Sequence, residues 1–162
     1  MTLKLMIMRH AESAAPSQAT PDHERPLTPK GQASVARVAQ TASSKGWHPE
    51  LIFASDAKRT VDTCDLFAAE LEPLPQIEKT NALYQASPAE IVDFIGSKNP
   101  PVKTLQIIGH NPTMESFLEH LSHEFVDFAP ANLALLTHDG DNWARAIHEA
   151  GAWKLTQFIS AT

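Results

Sequence analysis

The chain has 162 residues, of which 43% are hydrophobic, and its formal net charge is −6. This composition excludes a disordered chain, and the acidic balance argues against nucleic acid or an anionic membrane as a partner. The length predicts one domain over residues 1–162. Because Cys64 is the one cysteine, an internal disulfide is impossible, and we predict a reducing, cytoplasmic location.

The first half of the chain alternates apolar runs with amphipathic stretches. The run at 3–8 predicts a buried strand, and the polar stretch at 11–27 predicts a loop. The next predicted elements are a helix from the Thr28-Pro29 cap to Gly46, a strand at 51–54, and a helix capped by Ser55 or Asp56. Cys64 falls on the apolar face of that last helix, which predicts core packing rather than a nucleophile.

The second half continues the alternation and ends in a predicted hairpin. Its elements are an edge strand at 76–79, a helix opened by a capping box at 87–90, a strand at 104–108, a helix opened by Asn111-Pro112, and hairpin strands at 133–137 and 143–148 around Asp139-Gly140. This order predicts an α/β fold, a three-layer α/β/α sandwich with a mostly parallel central sheet and an antiparallel edge pair.

Three of the predicted strands end in polar residues that suit phosphate chemistry. The first is followed by Arg9-His10, the second by the segment from Ser55 to Arg59, and the third by Gly109-His110-Asn111-Pro112. The carboxyl ends of parallel strands meet at one edge of a sheet, so these residues should surround one hollow. Arginines and helix N-termini together favour an anion there. Taken by itself, Arg9-His10 is also compatible with a structural ion pair.

Four motifs in this order resemble a known family. They are Arg-His-Ala-Glu at 9–12, Arg-Pro-Leu-Thr-x-x-Gly at 25–31, Ser-x-x-x-Arg-Thr at 55–60 and Gly-His-Asn-Pro at 109–112. Together they resemble the histidine phosphatase superfamily, and they are most similar to the short SixA-type phosphohistidine phosphatases. The resemblance spans residues 3 to about 122, and the last forty residues add no motif to it.

The resemblance implies a role for each matched residue. His10 would be the nucleophile that forms a transient phosphohistidine, and Arg9 and Arg59 would bind the phosphoryl oxygens. His110 would complete the pocket and stabilise the transition state, with Asn111 beside it as a substrate-binding residue. Arg25 would support phosphate binding, although an exposed loop arginine is an equally simple interpretation of that position.

The physical requirements of this chemistry agree with the implied roles. Phosphoryl transfer depends mainly on positioning and charge stabilisation, and it needs no metal or other cofactor in this scheme. His10 must be unprotonated on its attacking nitrogen, so we expect Arg9 and Arg59 to lower its pKa. We also expect a backbone carbonyl to accept the N–H of its other nitrogen. His120 and His123 have helical spacing, but no third ligand accompanies them, which favours surface positions over a metal site.

One position departs from the family pattern and bears on the substrate. Relatives often carry an acid after a tyrosine in the segment where this chain has Tyr84-Gln85, and glutamine cannot donate a proton. The remaining candidates for a proton donor are Glu12, Asp22, Glu24 and His110. An imidazole, whose conjugate acid has a pKa of about 6.5, needs less protonation to leave than an alkoxide. We therefore expect phosphohistidine to be a better substrate than a sugar phosphate.

These inferences lead to a phosphatase acting through His10, with a phosphorylated protein as the favoured partner. A histidine-containing phosphotransfer domain would be such a partner, and the short segment between the edge strand and Ser87 leaves the site open to it. Two alternatives remain at this point. One is a phosphatase of small phosphorylated molecules, and the other is a non-catalytic phospholigand-binding scaffold. The oligomeric state is not predicted.

Overall fold

A six-stranded sheet forms the centre of the computed structural model, which describes residues 1–162. Its strands are β1 (Thr2–Arg9), β2 (Leu51–Ser55), β3 (Gln76–Thr80), β4 (Thr104–Gly109), β5 (Leu133–Asp139) and β6 (Lys154–Ile159). They lie in the order β3-β2-β4-β1-β5-β6. The first four strands are parallel, whereas β5 is antiparallel to β1 and β6 is antiparallel to β5.

Helices cover both faces of this sheet. They are α1 (Pro29–Ser44), α2 (Lys58–Ala68), α3 (Pro88–Lys98), α4 (Thr113–Ser122) and α5 (Trp143–Ala146), with short 3₁₀ turns at Asp22–Glu24 and Asn81–Leu83. In β1, Leu5 and Ile7 join the core beneath α3, α4 and α5, while Met6 and Met8 join the core beneath α1 and α2. The predicted three-layer α/β/α sandwich is therefore confirmed. No helix combines the length and the apolar character that crossing a membrane requires.

Two of the predicted helix caps are present, and the third prediction is wrong. Thr28 Oγ1 accepts the N–H of Gly31 at 3.0 Å, and Ser87 forms the expected capping box with Glu90. In α2, however, the N-cap is Ala57, and no side chain caps the helix. Ser55 is fully buried and accepts the N–H of Ala57 at 3.2 Å, still ahead of the helix.

The antiparallel edge pair is confirmed, but the second strand of the pair is not the predicted one. Residues 143–146, placed in a hairpin strand by their pattern, form the short helix α5 instead. Asn142 caps that helix by accepting the N–H of Arg145 at 3.0 Å. The Trp143 indole donates to the Val102 carbonyl at 2.6 Å and stacks on Trp153. The edge strand is β6, which the sequence analysis did not identify.

The loop between β1 and α1 is closed on itself and lies at the carboxyl edge of the sheet. Ser13 pairs with Leu27 in an isolated antiparallel bridge, and the N–H of Ala14 donates to the Pro26 carbonyl at 2.8 Å. At its base, Gly31 of α1 approaches β1 closely, since a Cβ there would lie 2.2 Å from the carbonyl oxygen of Glu12. These contacts fix the polar loop over the ends of the parallel strands.

Candidate active site

The carboxyl ends of β1, β2 and β4 bring the motif residues together. Register pairs Arg9 of β1 with Gly109 of β4, so His10 and His110 leave neighbouring strands at the same level. Their rings lie 5.2 Å apart between centroids and are inclined at 58°. Arg59 reaches the same hollow from the first turn of α2 and contacts His110. The predicted convergence at one sheet edge is thus observed.

One hydrogen bond determines the tautomer of His10. Its Nδ1 lies 2.7 Å from the carbonyl oxygen of Ala11, which can only accept, so Nδ1 carries the proton and Nε2 carries the lone pair. The residue is only 8% exposed, and burial lowers the pKa of its ring to about 3, with His110, Arg59 and Arg9 adding to the effect. The expected backbone carbonyl is therefore that of Ala11, and His10 is neutral at physiological pH.

His110 is held in the neutral form as well. An Arg59 Nη2–H donates to its Nδ1 at 3.3 Å, which leaves the proton on Nε2, where the ring donates to Ser55 Oγ at 2.7 Å. Burial is the main cause that lowers the pKa of His110 to about 4, and the Arg59 guanidinium contributes. Ser55, which the sequence suggested as a helix cap, fixes this ring instead.

The two arginines nearest to His10 are only partly satisfied by the protein. Arg9 Nη1 donates to the Phe128 carbonyl at 2.9 Å, and burial lowers the pKa of its guanidinium. Arg59 is 6% exposed, and its Nη1 donates to the Asp22 carbonyl at 2.8 Å. The Nε–H groups of both arginines are buried without an acceptor. The hollow is therefore lined by two guanidinium groups whose hydrogen-bonding capacity the protein uses only in part.

The carboxylate of Asp22 is the negative centre of this arrangement. It accepts from Tyr84 Oη at 2.6 Å, from Arg25 Nη2 at 2.9 Å and from Arg59 Nη2 at 3.2 Å. The Tyr84 hydroxyl, with the two arginines, holds the pKa of Asp22 well below its usual range. Asp22 is consequently ionised at neutral pH and offers no proton to a leaving group.

Arg25 and Asn111 lie around the hollow with most of their donors already engaged. Besides Asp22, Arg25 donates to the Ala14 carbonyl at 2.7 Å, so it ties the loop together rather than standing free in solvent. Asn111 Nδ2 donates to Glu115 at 2.9 Å and to the Phe128 carbonyl at 3.1 Å. The Phe128 carbonyl also accepts from Arg9, so Asn111 and Arg9 are joined through one backbone group.

The side chains of His23 and Tyr84 lie at the rim of the hollow, and their pattern in the sequence did not predict this position. His23 Nε2 lies 2.8 Å from Asp56 Oδ1, and its ring meets that of Tyr84 edge-on at 4.8 Å. Tyr84 in turn meets His110 edge-on at 5.6 Å. His23 precedes the Arg-Pro-Leu-Thr motif by two positions, but the spacing alone gives no sign that it faces a residue so distant in the sequence.

The remaining proton-donor candidates do not supply a carboxylic acid to the hollow. Glu12 accepts from Thr28 Oγ1 at 2.8 Å, at the start of α1. Glu24 is exposed, and so is Gln85, whose backbone is in the left-handed region at φ 59°.

Cys64 lies outside the site and is buried in the core, where burial raises the pKa of its thiol to about 12, consistent with the predicted packing role.

Sequence comparison finds relatives along nearly the whole chain. A sequence profile of the histidine phosphatase superfamily (branch 1) matches residues 5–86. An uncharacterised chloroplastic protein of Arabidopsis thaliana is 34% identical over 169 aligned positions, which cover 97% of this chain and 77% of the plant protein.

Solved structures with the same fold include two described as SixA proteins. The protein histidine phosphatase SixA complexed with tungstate has a TM-score of 0.82 at 20% identity and covers 98% of this chain and 97% of its own. A protein from Nakamurella multipartitia, provisionally described as a SixA phosphohistidine phosphatase, has a TM-score of 0.83 at 24% identity, with coverage of 98% and 96%. These likenesses establish the α/β fold.

Proposed function

Since this chain belongs to the histidine phosphatase superfamily and is a phosphatase, we propose that it removes the phosphoryl group from protein phosphohistidine through a covalent intermediate on His10. The observation that carries this proposal is the hydrogen bond from His10 Nδ1 to the Ala11 carbonyl. It leaves the Nε2 lone pair available for attack in a hollow lined by two arginines. Residues 1–162 would act as one catalytic domain, because the proposed site draws on β1, β2, α2 and β4 of one sheet.

The proposed reaction has two steps. His10 Nε2 attacks phosphorus while the bond to the leaving group breaks, and water then hydrolyses the phosphohistidine on His10. Arg9 and Arg59 bind the phosphoryl oxygens, and His110 closes the opposite side of the pocket. The charge that develops is met by protein cations, so the scheme uses no metal ion.

Arg25 and Asn111 take supporting parts in this proposal. Arg25 acts through Asp22, whose carboxylate it shares with Arg59, and so orients a phosphate-binding group. Asn111 acts through the Phe128 carbonyl that also holds Arg9. Both are proposed as positioning residues, because most of their donors are engaged within the protein.

The preference for phosphohistidine is supported by the missing carboxylic acid. With Asp22 ionised and Gln85 at a position where members of the family that this chain resembles often carry an acid, an alkoxide leaving group would receive little assistance. An imidazole requires less, because its conjugate acid has a pKa of about 6.5. A SixA protein of the same fold has been obtained in complex with tungstate, a tetrahedral oxyanion like phosphate, which supports oxyanion binding by this fold.

A substrate panel tests the proposal. A phosphohistidine-bearing phosphotransfer protein, p-nitrophenyl phosphate and a sugar phosphate are compared, with His10→Ala as the control. We expect turnover that requires His10 and favours the phosphohistidine protein. Preference for the sugar phosphate would make this a phosphatase of small molecules. Phosphate binding without turnover of any of the three would instead support a non-catalytic phospholigand-binding domain.

A further inference from the structure

His23 and Asp56 form a hydrogen-bonded pair at the rim of the site, and this pair does not use His23 Nδ1. Asp56 Oδ1 lies 2.8 Å from His23 Nε2 and accepts from Asn81 Nδ2 at 3.3 Å. Burial alone would raise the pKa of Asp56, but these two hydrogen bonds outweigh it and the pKa is lowered. Asp56 is therefore an ionised acceptor. The proton of His23 toward Asp56 consequently sits on Nε2. Its Nδ1 makes no hydrogen bond within the chain, and 41% of the side chain is exposed, so Nδ1 is open to a group that enters the mouth of the site.

His23 is tied directly to the phosphate-binding residues. Arg59 Nη1 donates to the carbonyl of Asp22, the residue just before it. The Tyr84 ring contacts both His23 and His110, so a continuous row of rings leads from the floor of the hollow to its rim. The titratable and charged groups that surround His23 are Asp22 and Arg25 of its own loop, Asp56 before α2, Arg59 in α2, Tyr84 after β3 and His110 after β4.

The chemistry of phosphohistidine calls for a proton some distance from phosphorus. When the P–N bond breaks, its electron pair stays on the ring nitrogen. If the other ring nitrogen lacks a proton, the leaving group is a strongly basic imidazolide; if that distal nitrogen is protonated, neutral imidazole leaves. A phosphate ester differs, because the proton is needed on the oxygen bonded to phosphorus. A donor at the rim therefore suits a phosphoimidazole better than an ester.

We infer that His23 in its doubly protonated form, with its Nε2–H donating to Asp56, donates its second proton from Nδ1 to the distal ring nitrogen of a substrate phosphohistidine. This inference rests on the proposed function. As the bond from His10 Nε2 to phosphorus forms and the substrate P–N bond breaks, the electron pair passes to the leaving ring and the His23 proton neutralises it. When water then attacks phosphorus, the P–Nε2 bond breaks, and a proton of that water returns to His23.

His10 itself already carries a proton on its distal nitrogen. Its distal nitrogen, Nδ1, keeps a proton against the Ala11 carbonyl, so His10 leaves the phosphoenzyme as a neutral imidazole. On the enzyme side, the Ala11 carbonyl thus accepts the distal N–H and holds its proton in place. On the substrate side, His23 and Asp56 would provide the distal proton, in place of the absent carboxylic acid.

Two small substrates separate this role from a structural one. For His23→Gln we expect kcat/KM to fall about 100-fold with free phosphohistidine but less than about threefold with p-nitrophenyl phosphate, whose leaving group needs no proton. Asp56→Asn should show the same selectivity with a smaller loss. His48→Gln, at an exposed histidine before the amino end of β2 and so away from the carboxyl ends that carry the site, is the matched control and should change neither value.

Each outcome decides the inference. Equal losses on both substrates would make His23 a structural residue, and unchanged values on both would remove it from the reaction; either result overturns the inference. Wild-type protein that hydrolyses p-nitrophenyl phosphate through His10 but leaves phosphohistidine intact would contradict the proposed substrate, and with it this inference, before any His23 variant is made.

Discussion

Arg59 joins Asp22 of the loop before α1 to His110, the second histidine of the candidate site. It is buried, it donates to the backbone and carboxylate of Asp22, and it donates to His110 Nδ1. Burial is the main cause that lowers the pKa values of His110 and His10, and the Arg59 guanidinium charge adds to the effect on both. The proposed mechanism therefore uses Arg59 both as an oxyanion ligand and as a charge that favours the neutral forms of the histidines.

We predict that Arg59→Ala loses roughly 3–4 kcal/mol of transition-state stabilisation, by analogy with removal of one oxyanion donor. The comparison of kcat/KM with p-nitrophenyl phosphate measures this loss. Arg37→Ala, an exposed arginine of α1 that contacts the Ala161 carbonyl, is the matched control and should keep full activity. A change within about twofold for Arg59→Ala would place this residue outside the reacting pocket.

The sequence could predict the place in the site of those residues that follow a strand and belong to a motif. His10, Arg59 and His110 meet as expected because strand ends in a parallel sheet converge. Asp22, Tyr84 and His23 took up roles that the sequence did not reveal. Their contacts join segments as far as 62 positions apart, as in the bond between Tyr84 and Asp22, and no local periodicity encodes such pairs.

Among the elements, the approach of α1 to the end of β1 has the clearest consequence. Gly31 lies in the first turn of α1, against the backbone of Glu12, two residues after His10. Thr28 spans the same gap, since it caps α1 and donates to the Glu12 carboxylate. The strand end that carries the proposed nucleophile is thus fixed by the start of the first helix.

Gly31→Ala should disturb both stability and activity. Its Cβ would lie 2.2 Å from a backbone oxygen, which cannot move aside as a flexible side chain can. We expect the free energy of unfolding to fall by about 1–3 kcal/mol, the usual cost of overpacking, and phosphatase activity to fall with it. Urea unfolding measures the first effect. Gln32→Ala, on the exposed side of the same turn, should be neutral, and equal behaviour of the two variants would contradict the close-packing argument.

Local signals predicted most of the elements but failed at the C-terminal edge. The caps at Thr28 and Ser87 are physical start signals, and they mark helix starts in the structure as well. Residues 143–146 were predicted as a strand because they follow the Asp139-Gly140 turn signal, yet an Asn142 cap and the burial of Trp143 against Trp153 favour a helical turn. That burial depends on tertiary packing, which a local turn signal cannot reveal. The strand at this edge of the sheet is instead β6, which pairs with β5.

For the molecule as a whole, two buried neutral histidines couple stability to pH. The pKa values of His10 and His110 in the folded chain are about 3 and about 4, against 6.5 for an ordinary histidine. At pH values between the folded and the ordinary pKa of each histidine, the unfolded chain binds more protons than the folded one. The stability gained by keeping both rings neutral is complete above about pH 6.5 and is lost as the pH falls toward 4.

We therefore predict that His10→Gln loses less stability on acidification than the wild-type chain. Between pH 7.5 and 5.0 the wild-type free energy of unfolding should decrease by about 1–2 kcal/mol more than that of the variant, at ~1.4 kcal/mol per pH unit below the unfolded pKa. Urea titrations at the two pH values give both differences. Parallel losses in the two proteins would show that His10 is not kept neutral by the fold.

The most direct test of the account is to trap the phosphoenzyme. The protein is mixed briefly with a ³²P-labelled phosphohistidine protein, quenched in alkali, and digested to locate the label. We predict an acid-labile, alkali-stable phosphate on the peptide that contains His10, and none on the His10→Ala variant. Label on another residue, or turnover with no labelled enzyme at any time, would contradict nucleophilic catalysis by His10.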